Sequence, residues 1–193
     1  MFKFKTLAAT LALVAMAGMA QAAPMVYTFE VNASGQLNGQ GFTNTAVTVT
    51  LTGEASVRYR YPCSNCYPVL ADTTLIEVAG LGSDSFLHPI VTVSTTFEGG
   101  YFAFSEPVSD WGIFFVAHPS ALSYFLQTPH GPVSGLASGN PGRAFDTLSG
   151  GSFTFDTFDS LGTFTAVAAQ VPEPATWALL LVGLVPLLRR RRA

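Results

Sequence analysis

The sequence predicts an all-β body, an antiparallel β-sandwich or jelly roll, with a closed barrel as the second choice. Three observations carry that prediction. Residues 46–52 alternate strictly, Val47, Val49 and Leu51 against Thr48, Thr50 and Thr52, so a strand there has one apolar face and one hydroxylated face. Turn-forming Gly, Asn, Ser and Pro recur between segments of this kind at short intervals. The chain has sixteen phenylalanines to fill a core, while no window of helical length in the body carries a 3.6-residue period.

Taken in order, the expected strands are residues 26–31, 46–52, 56–61, 73–78, 90–97, 101–104, 111–116, 123–127, 151–158 and 163–167. Ser34-Gly35, Asn38-Gly39, residues 80–83 and Gly99-Gly100 suit turns, and the Gly/Pro/Ser-rich stretch 128–142 reads as a long loop. Residues 151–167 are expected to form the last hairpin, turning at Asp159-Ser160. Short strands at this spacing are the pattern of two-layer antiparallel folds.

Both ends of the chain differ from this body. Lys3 and Lys5 precede an alanine- and leucine-rich run over residues 7–19, and Ala20-Gln21-Ala22 places small residues where a signal peptidase reads them. Residues 1–22 are therefore expected to be a helical secretory signal, cleaved before Ala23. At the other end, Val171-Pro172-Glu173-Pro174 is followed by an apolar segment, 175–188, and then by Arg189, Arg190, Arg191 and Arg192. As a helix, the fourteen residues of that segment would span roughly 21 Å, short of a hydrocarbon core of roughly 30 Å. It is a short transmembrane anchor, whose spanning needs local thinning of the bilayer, snorkelling of Arg189, or residues 171–174 drawn into the interface. Four arginines are costly to translocate and act as a stop-transfer signal, which leaves everything before Val171 on the far side of the membrane. Pro174 disfavours helix at Glu173, so the Pro-Glu-Pro segment should stay extended.

The order and spacing of residues 171–193 closely resemble the PEP-CTERM sorting signal of Gram-negative bacteria. The resemblance implies a temporary membrane anchor, recognised and removed by an exosortase, an intramembrane transpeptidase-like enzyme. It implies an exported protein, held in the membrane as an intermediate and then released to the cell surface or extracellular matrix. Gly41-Phe42-Thr43-Asn44 and residues 150–155 also look like passenger domains carried by such tails. The expected organisation is then a signal peptide at 1–22, a β passenger at 23–167, a linker with the Pro-Glu-Pro motif at 168–174, a transmembrane sorting helix at 175–188 and a basic cytoplasmic tail at 189–193.

Between the two signals the body carries Arg58, Arg60 and Arg143 against eleven acidic residues, a net of −8, and no lysine. That charge argues against nucleic acid as a partner. Cys63 and Cys66 are the only cysteines, and in an exported chain they are expected to form a local disulfide. The loop it closes is too small for the bond to stabilise much. A redox Cys-x-x-Cys is the alternative, without the βαβ context such motifs have. His88, His118 and His130 are scattered near prolines and glycines and read as surface residues, so no metal site is expected.

Catalysis has little to stand on. Glu98, Glu106, Asp110, Asp156 and Asp159 could supply an acid/base pair, but any acidic domain offers such pairs. No nucleophile elbow, metal-protease helix or phosphate loop occurs, and no cofactor is implied. Tyr59, Tyr61, Tyr67, Trp111 and Tyr124 could stack on sugar rings or simply pack on the sheet. Two functions follow: a non-catalytic structural or adhesive component associated with exopolysaccharide, or a secreted carbohydrate-binding module or glycan hydrolase. The expected partners are signal peptidase and exosortase during export, the membrane transiently, and extracellular polysaccharide.

Overall fold

In the computed structural model, residues 24–54, 66–87, 90–94, 99–106 and 111–169 are described. Strand β1 (Met25–Leu37) and strand β2 (Gln40–Gly53) form a long hairpin. Asn38 and Gly39 turn it, both at positive φ (52° and 80°), the backbone that a two-residue type I′ turn requires and that Asn-Gly tolerates. Along β1 the apolar side chains Tyr27, Phe29 and Val31 are buried while Glu30 and Asn32 face water, as a period of two dictates. The remaining strands are β3 (Cys66–Leu70), β4 (Thr73–Val78), β5 (Gly82–Asp84), β6 (Ile90–Ser94), β7 (Tyr101–Glu106), β8 (Trp111–Ala117), β9 (His130–Gly139), β10 (Ala144–Asp146) and β11 (Ser152–Ala168). A 3-10 turn, Pro119–Ser123, follows β8.

All of these strands join one antiparallel sheet in the order β3-β6-β7-β8-β9-β11-β1-β2-β4-β5, with β10 attached to β11. The chain connectivity forces that sheet to curl. β3 lies at one edge and β4 next to the other, yet only Ala71 and Asp72 separate them, so Leu70 and Thr73 are within about 11 Å of each other. At the meeting point the Asp72 N–H donates to the Thr52 carbonyl at 2.7 Å, and a Cβ on Gly53 would come within 2.6 Å of the Leu70 carbonyl oxygen. A side chain larger than hydrogen does not fit there.

The curl encloses an aromatic core. Phe102 of β7 stacks on Phe164 of β11 at 4.0 Å, although two strands separate them in the sheet. Phe29 meets Phe114 edge-on at 5.7 Å, and Phe86 packs on both Phe104 and Phe153. Aromatic pairs at these separations add to the burial of their own area. The antiparallel β body expected from the sequence is thus present. Instead of two separate sheets, the two flanks of one curled sheet face each other.

Several expected elements are corrected. β4 matches residue for residue, and β1, β2, β7 and β8 begin or end beyond their expected limits. The stretch 128–142 is not a loop, because β9 runs through its middle. Glycine there serves close strand packing: a Cβ at Gly135 would overlap the Ala117 carbonyl oxygen of β8. Residues 123–127 are not a strand: the 3-10 turn ends at Ser123 and Leu126 takes a positive φ of 60°. The hairpin expected at Asp159-Ser160 is a single strand, β11, held straight on through β-bulges in its pairing with β1. Ser34-Gly35 is one of those bulges rather than a turn. The expected strand at 56–61 and the signal and transmembrane helices lie outside the described residues, among which no helix is long and apolar enough to cross a membrane.

Candidate functional site

Two polar clusters are built into the described body. The first joins three turns. Asn38, at the tip of the β1–β2 hairpin, donates from Nδ2 to Asp84 Oδ2 at 2.7 Å, and its Oδ1 accepts from the Thr147 hydroxyl at 2.9 Å. The Ser149 hydroxyl donates to the same carboxylate, and the Ser85 N–H donates to its other oxygen at 2.7 Å. Burial alone would raise the Asp84 pKa. Donation from Ser149, Asn38, the Ser85 amide and Thr147 outweighs it and brings the carboxyl down to about 2. This cluster clamps β5, the 147–151 turn and the hairpin tip together, and its donors are already used on one another.

The second cluster sits where β8 passes through the 3-10 turn towards β9. His118 caps that turn: its Nδ1 accepts the Ser120 N–H at 3.2 Å, and Pro119 occupies the first helical position, where its missing N–H costs nothing. The Ser120 hydroxyl lies 2.8 Å from His118 Nδ1 and 2.8 Å from Nε2 of His130, the first residue of β9. Because His118 Nδ1 accepts an amide hydrogen, it carries none, so the hydroxyl donates to it and accepts the Nε2–H of His130. The His130 ring stacks on Tyr124 at 4.4 Å, with Phe102 at 5.6 Å. Burial, and secondarily His118, lower the His130 pKa.

Beneath this corner the Tyr124 hydroxyl donates to the Thr128 carbonyl at 2.6 Å. The fully buried Tyr27 donates to the Leu126 carbonyl at 2.7 Å, tying the segment between the 3-10 turn and β9 to the core. Burial holds both phenols well above the usual tyrosine range.

The residues singled out from the sequence fare unevenly. His118 and His130, read as scattered surface histidines, are both half-buried and meet on one hydroxyl. The His-Pro-Ser cap was a local signal; the arrival of His130 from β9 was not. Tyr124 is buried and Tyr67 packs edge-on against Phe125 at 4.8 Å, so both serve sheet packing. Asp159 accepts from Asn32 at 3.1 Å on the surface. Glu106 ends β7, Trp111 opens β8 and Cys66 opens β3, opposite Ser94. Ala20, Ala22, Ala23, Tyr59, Tyr61, Cys63, His88, Glu98, Asp110, Val171, Pro172, Glu173, Pro174 and Arg189 to Arg192 lie outside the described residues. No group of three or more His, Cys, Asp or Glu suited to a metal occurs among the described residues.

No protein-family model, curated protein or solved structure matches the chain.

Proposed function

We propose that the chain is an exported surface or extracellular-matrix protein whose C-terminal PEP-CTERM signal is processed by an exosortase. The observation that carries this reading is the tail itself: Val171-Pro172-Glu173-Pro174, a short apolar segment, then Arg189 to Arg192. The body is a passenger built on one curled antiparallel sheet, a non-catalytic structural or adhesive component associated with exopolysaccharide. Its construction supports removal of both ends. Met25 pairs with Ala168, and the Ala169 N–H donates to the Pro24 carbonyl at 2.7 Å, so leader and tail attach to adjacent strands just beyond their last paired residues. Cleavage before Ala23 and near Pro172-Glu173-Pro174 leaves every ladder hydrogen bond of β1 and β11 in place.

Intact-mass measurement of the protein recovered from the surface or medium of its native host tests the proposal. The expected species starts near Ala23 and lacks Trp177 and Arg189 to Arg192. Recovery of a species that keeps the four arginines, in cells containing the exosortase, would make the tail a permanent anchor. A glycan-binding and hydrolysis screen of the same material separates an adhesive component from a hydrolase. In the exported chain Cys63 and Cys66 are bonded to each other, so thiol labelling of unreduced, denatured protein should find no free thiol; labelling of both would sink that pairing.

A further inference from the structure

We propose that Asn38 is a deamidation site held out of reaction by the three-turn clamp, and that its conversion to aspartate or isoaspartate releases that clamp. Asn38-Gly39 is the one Asn-Gly pair in the chain. With no side chain on residue 39, its backbone nitrogen is unshielded. Gly39 is exposed, and a Cβ there would meet nothing within 4 Å. The reaction needs only water. The Gly39 amide gives its proton to hydroxide, the nitrogen bonds to Asn38 Cγ, and Nδ2 takes a proton from water and leaves as ammonia. Water then opens the five-membered imide at one of its two carbonyls. One opening gives aspartate; the other gives isoaspartate, whose backbone runs through the side chain and is one carbon longer.

In the folded chain the carboxamide is held at both ends by partners from other turns. Nδ2 donates to Asp84 Oδ2 at 2.7 Å, and Oδ1 accepts from the Thr147 hydroxyl at 2.9 Å. For the Gly39 nitrogen to reach Cγ, the side chain has to leave both partners and fold back over its own turn. The Asn38 N–H donates to the Ser152 carbonyl at 2.7 Å, and the positive φ at Asn38 and Gly39 fixes the tip. Gly151 belongs to the same seat, since a Cβ there would overlap Asn38 Oδ1. Closure of the imide therefore waits on local opening of the tip, and its rate follows the fraction of molecules that are open.

The product does not fit the seat that the carboxamide leaves. An aspartate at position 38 brings no N–H and sets a second carboxylate against that of Asp84, so like charges meet where a hydrogen bond stood. Isoaspartate lengthens a two-residue turn whose flanking residues, Leu37 and Gln40, are paired. Deamidation is thus a one-way release of the hairpin tip from β5 and the 147–151 turn.

The test incubates the full chain in detergent, in mildly alkaline buffer. Peptide mapping reads the mass gain at residue 38, and enzymatic methylation detects isoaspartate. The folded parent should convert about tenfold or more slowly than the same chain unfolded in urea. Thr147→Val and Asp84→Ala, shown to be folded by circular dichroism, should each convert about two- to tenfold faster than the folded parent, the effect of one lost hydrogen bond on the open fraction. Asn38→Asp needs no incubation and keeps the question decidable if either of those variants fails to fold. It should melt below the parent at neutral pH, with the gap narrowing in acid, where the two carboxylates share a proton. Conversion in the folded parent as fast as in urea would overturn the proposal, as would folded variants no faster than the parent, which would leave the turn alone as the protection. An Asn38→Asp chain as stable as the parent at neutral pH would overturn it too, because the product would then leave the clamp intact.

Discussion

At the scale of single residues, the buried phenol of Tyr27 is the clearest polar commitment in the core. Its hydroxyl satisfies the Leu126 carbonyl in a segment where Leu126 holds a positive φ. Tyr27→Phe keeps the ring and removes the donor, leaving a carbonyl without its partner, and should cost about 1–3 kcal/mol. Tyr124→Phe, at a less buried hydroxyl, should cost about 0.5–1.5 kcal/mol. Urea denaturation of the two variants checks the order, and a Tyr27→Phe chain as stable as the parent would remove this bond from the account. Titration adds a second residue-scale prediction. Burial depresses the His130 pKa below its unfolded value of 6.5, so the fold favours the uncharged ring. The stability tied to that group is fully present above pH 6.5 and falls as pH drops through the folded pKa. Asp84 acts lower on the scale: with its pKa taken from 3.8 to about 2, its contribution is present above 3.8 and is lost as pH falls towards 2. Its carboxylate is largely in water, so the contribution is small. Thermal melts from pH 8 to pH 2 should show the first decline disappear in His130→Gln and the second in Asp84→Ala, each without the other.

At the scale of elements, β4 and β9 show what a local pattern can and cannot say. β4 was legible to the residue because Thr74, Ile76 and Val78 recur with a period of two between Asp72 and Gly80, although the apolar Leu75 falls on the exposed face with Thr73 and Glu77. β9 was hidden because its glycines, which mark a loop when read alone, make room for neighbours that only the fold supplies. Gly135 lies against the Ala117 carbonyl, and Gly162 of β11 leaves space for the Phe114 ring, 3.1 Å from where a Cβ would be. The same limit hid the histidine pair, whose members come from separate elements. β11 was split in two by Asp159 and Ser160 for a related reason: bulges in its pairing with β1 absorb what looked like a turn. The glycine argument makes a direct prediction. Gly135→Ala should destabilise by about 1–3 kcal/mol, since backbone rather than a movable side chain stands in the way. Gly41→Ala, whose nearest neighbour would be 3.9 Å away, should fall within about 0.5 kcal/mol of the parent. Equal stabilities in the two variants would mean that β9 tolerates a side chain there.

At the scale of the whole molecule, the first and last strands, β1 and β11, are also central to the sheet. β11 pairs with β1, β9 and β10, and its last third, from Thr163 onward, matches β1 pair by pair to Met25. Phe164, within that third, is fully buried against Phe29, Phe102 and Tyr124. Removing the Phe164 side chain alone should cost about 3–5 kcal/mol, against a total of about 5–15 kcal/mol for a domain of ordinary stability. Removing the strand end would also unpair both of its neighbours. A chain that stops after Gly162 should therefore lose its cooperative β-sheet melt, while one that stops after Gln170 keeps every pair and should retain it. Far-ultraviolet circular dichroism and thermal melts of the two truncations decide the matter. The contrast bears on sorting, because a tail can be disposable only if the body folds without it. If the chain ending at Gln170 failed to give a cooperative β melt, the sheet would depend on residues that an exosortase is proposed to remove, and the proposed processing would leave an unfolded product.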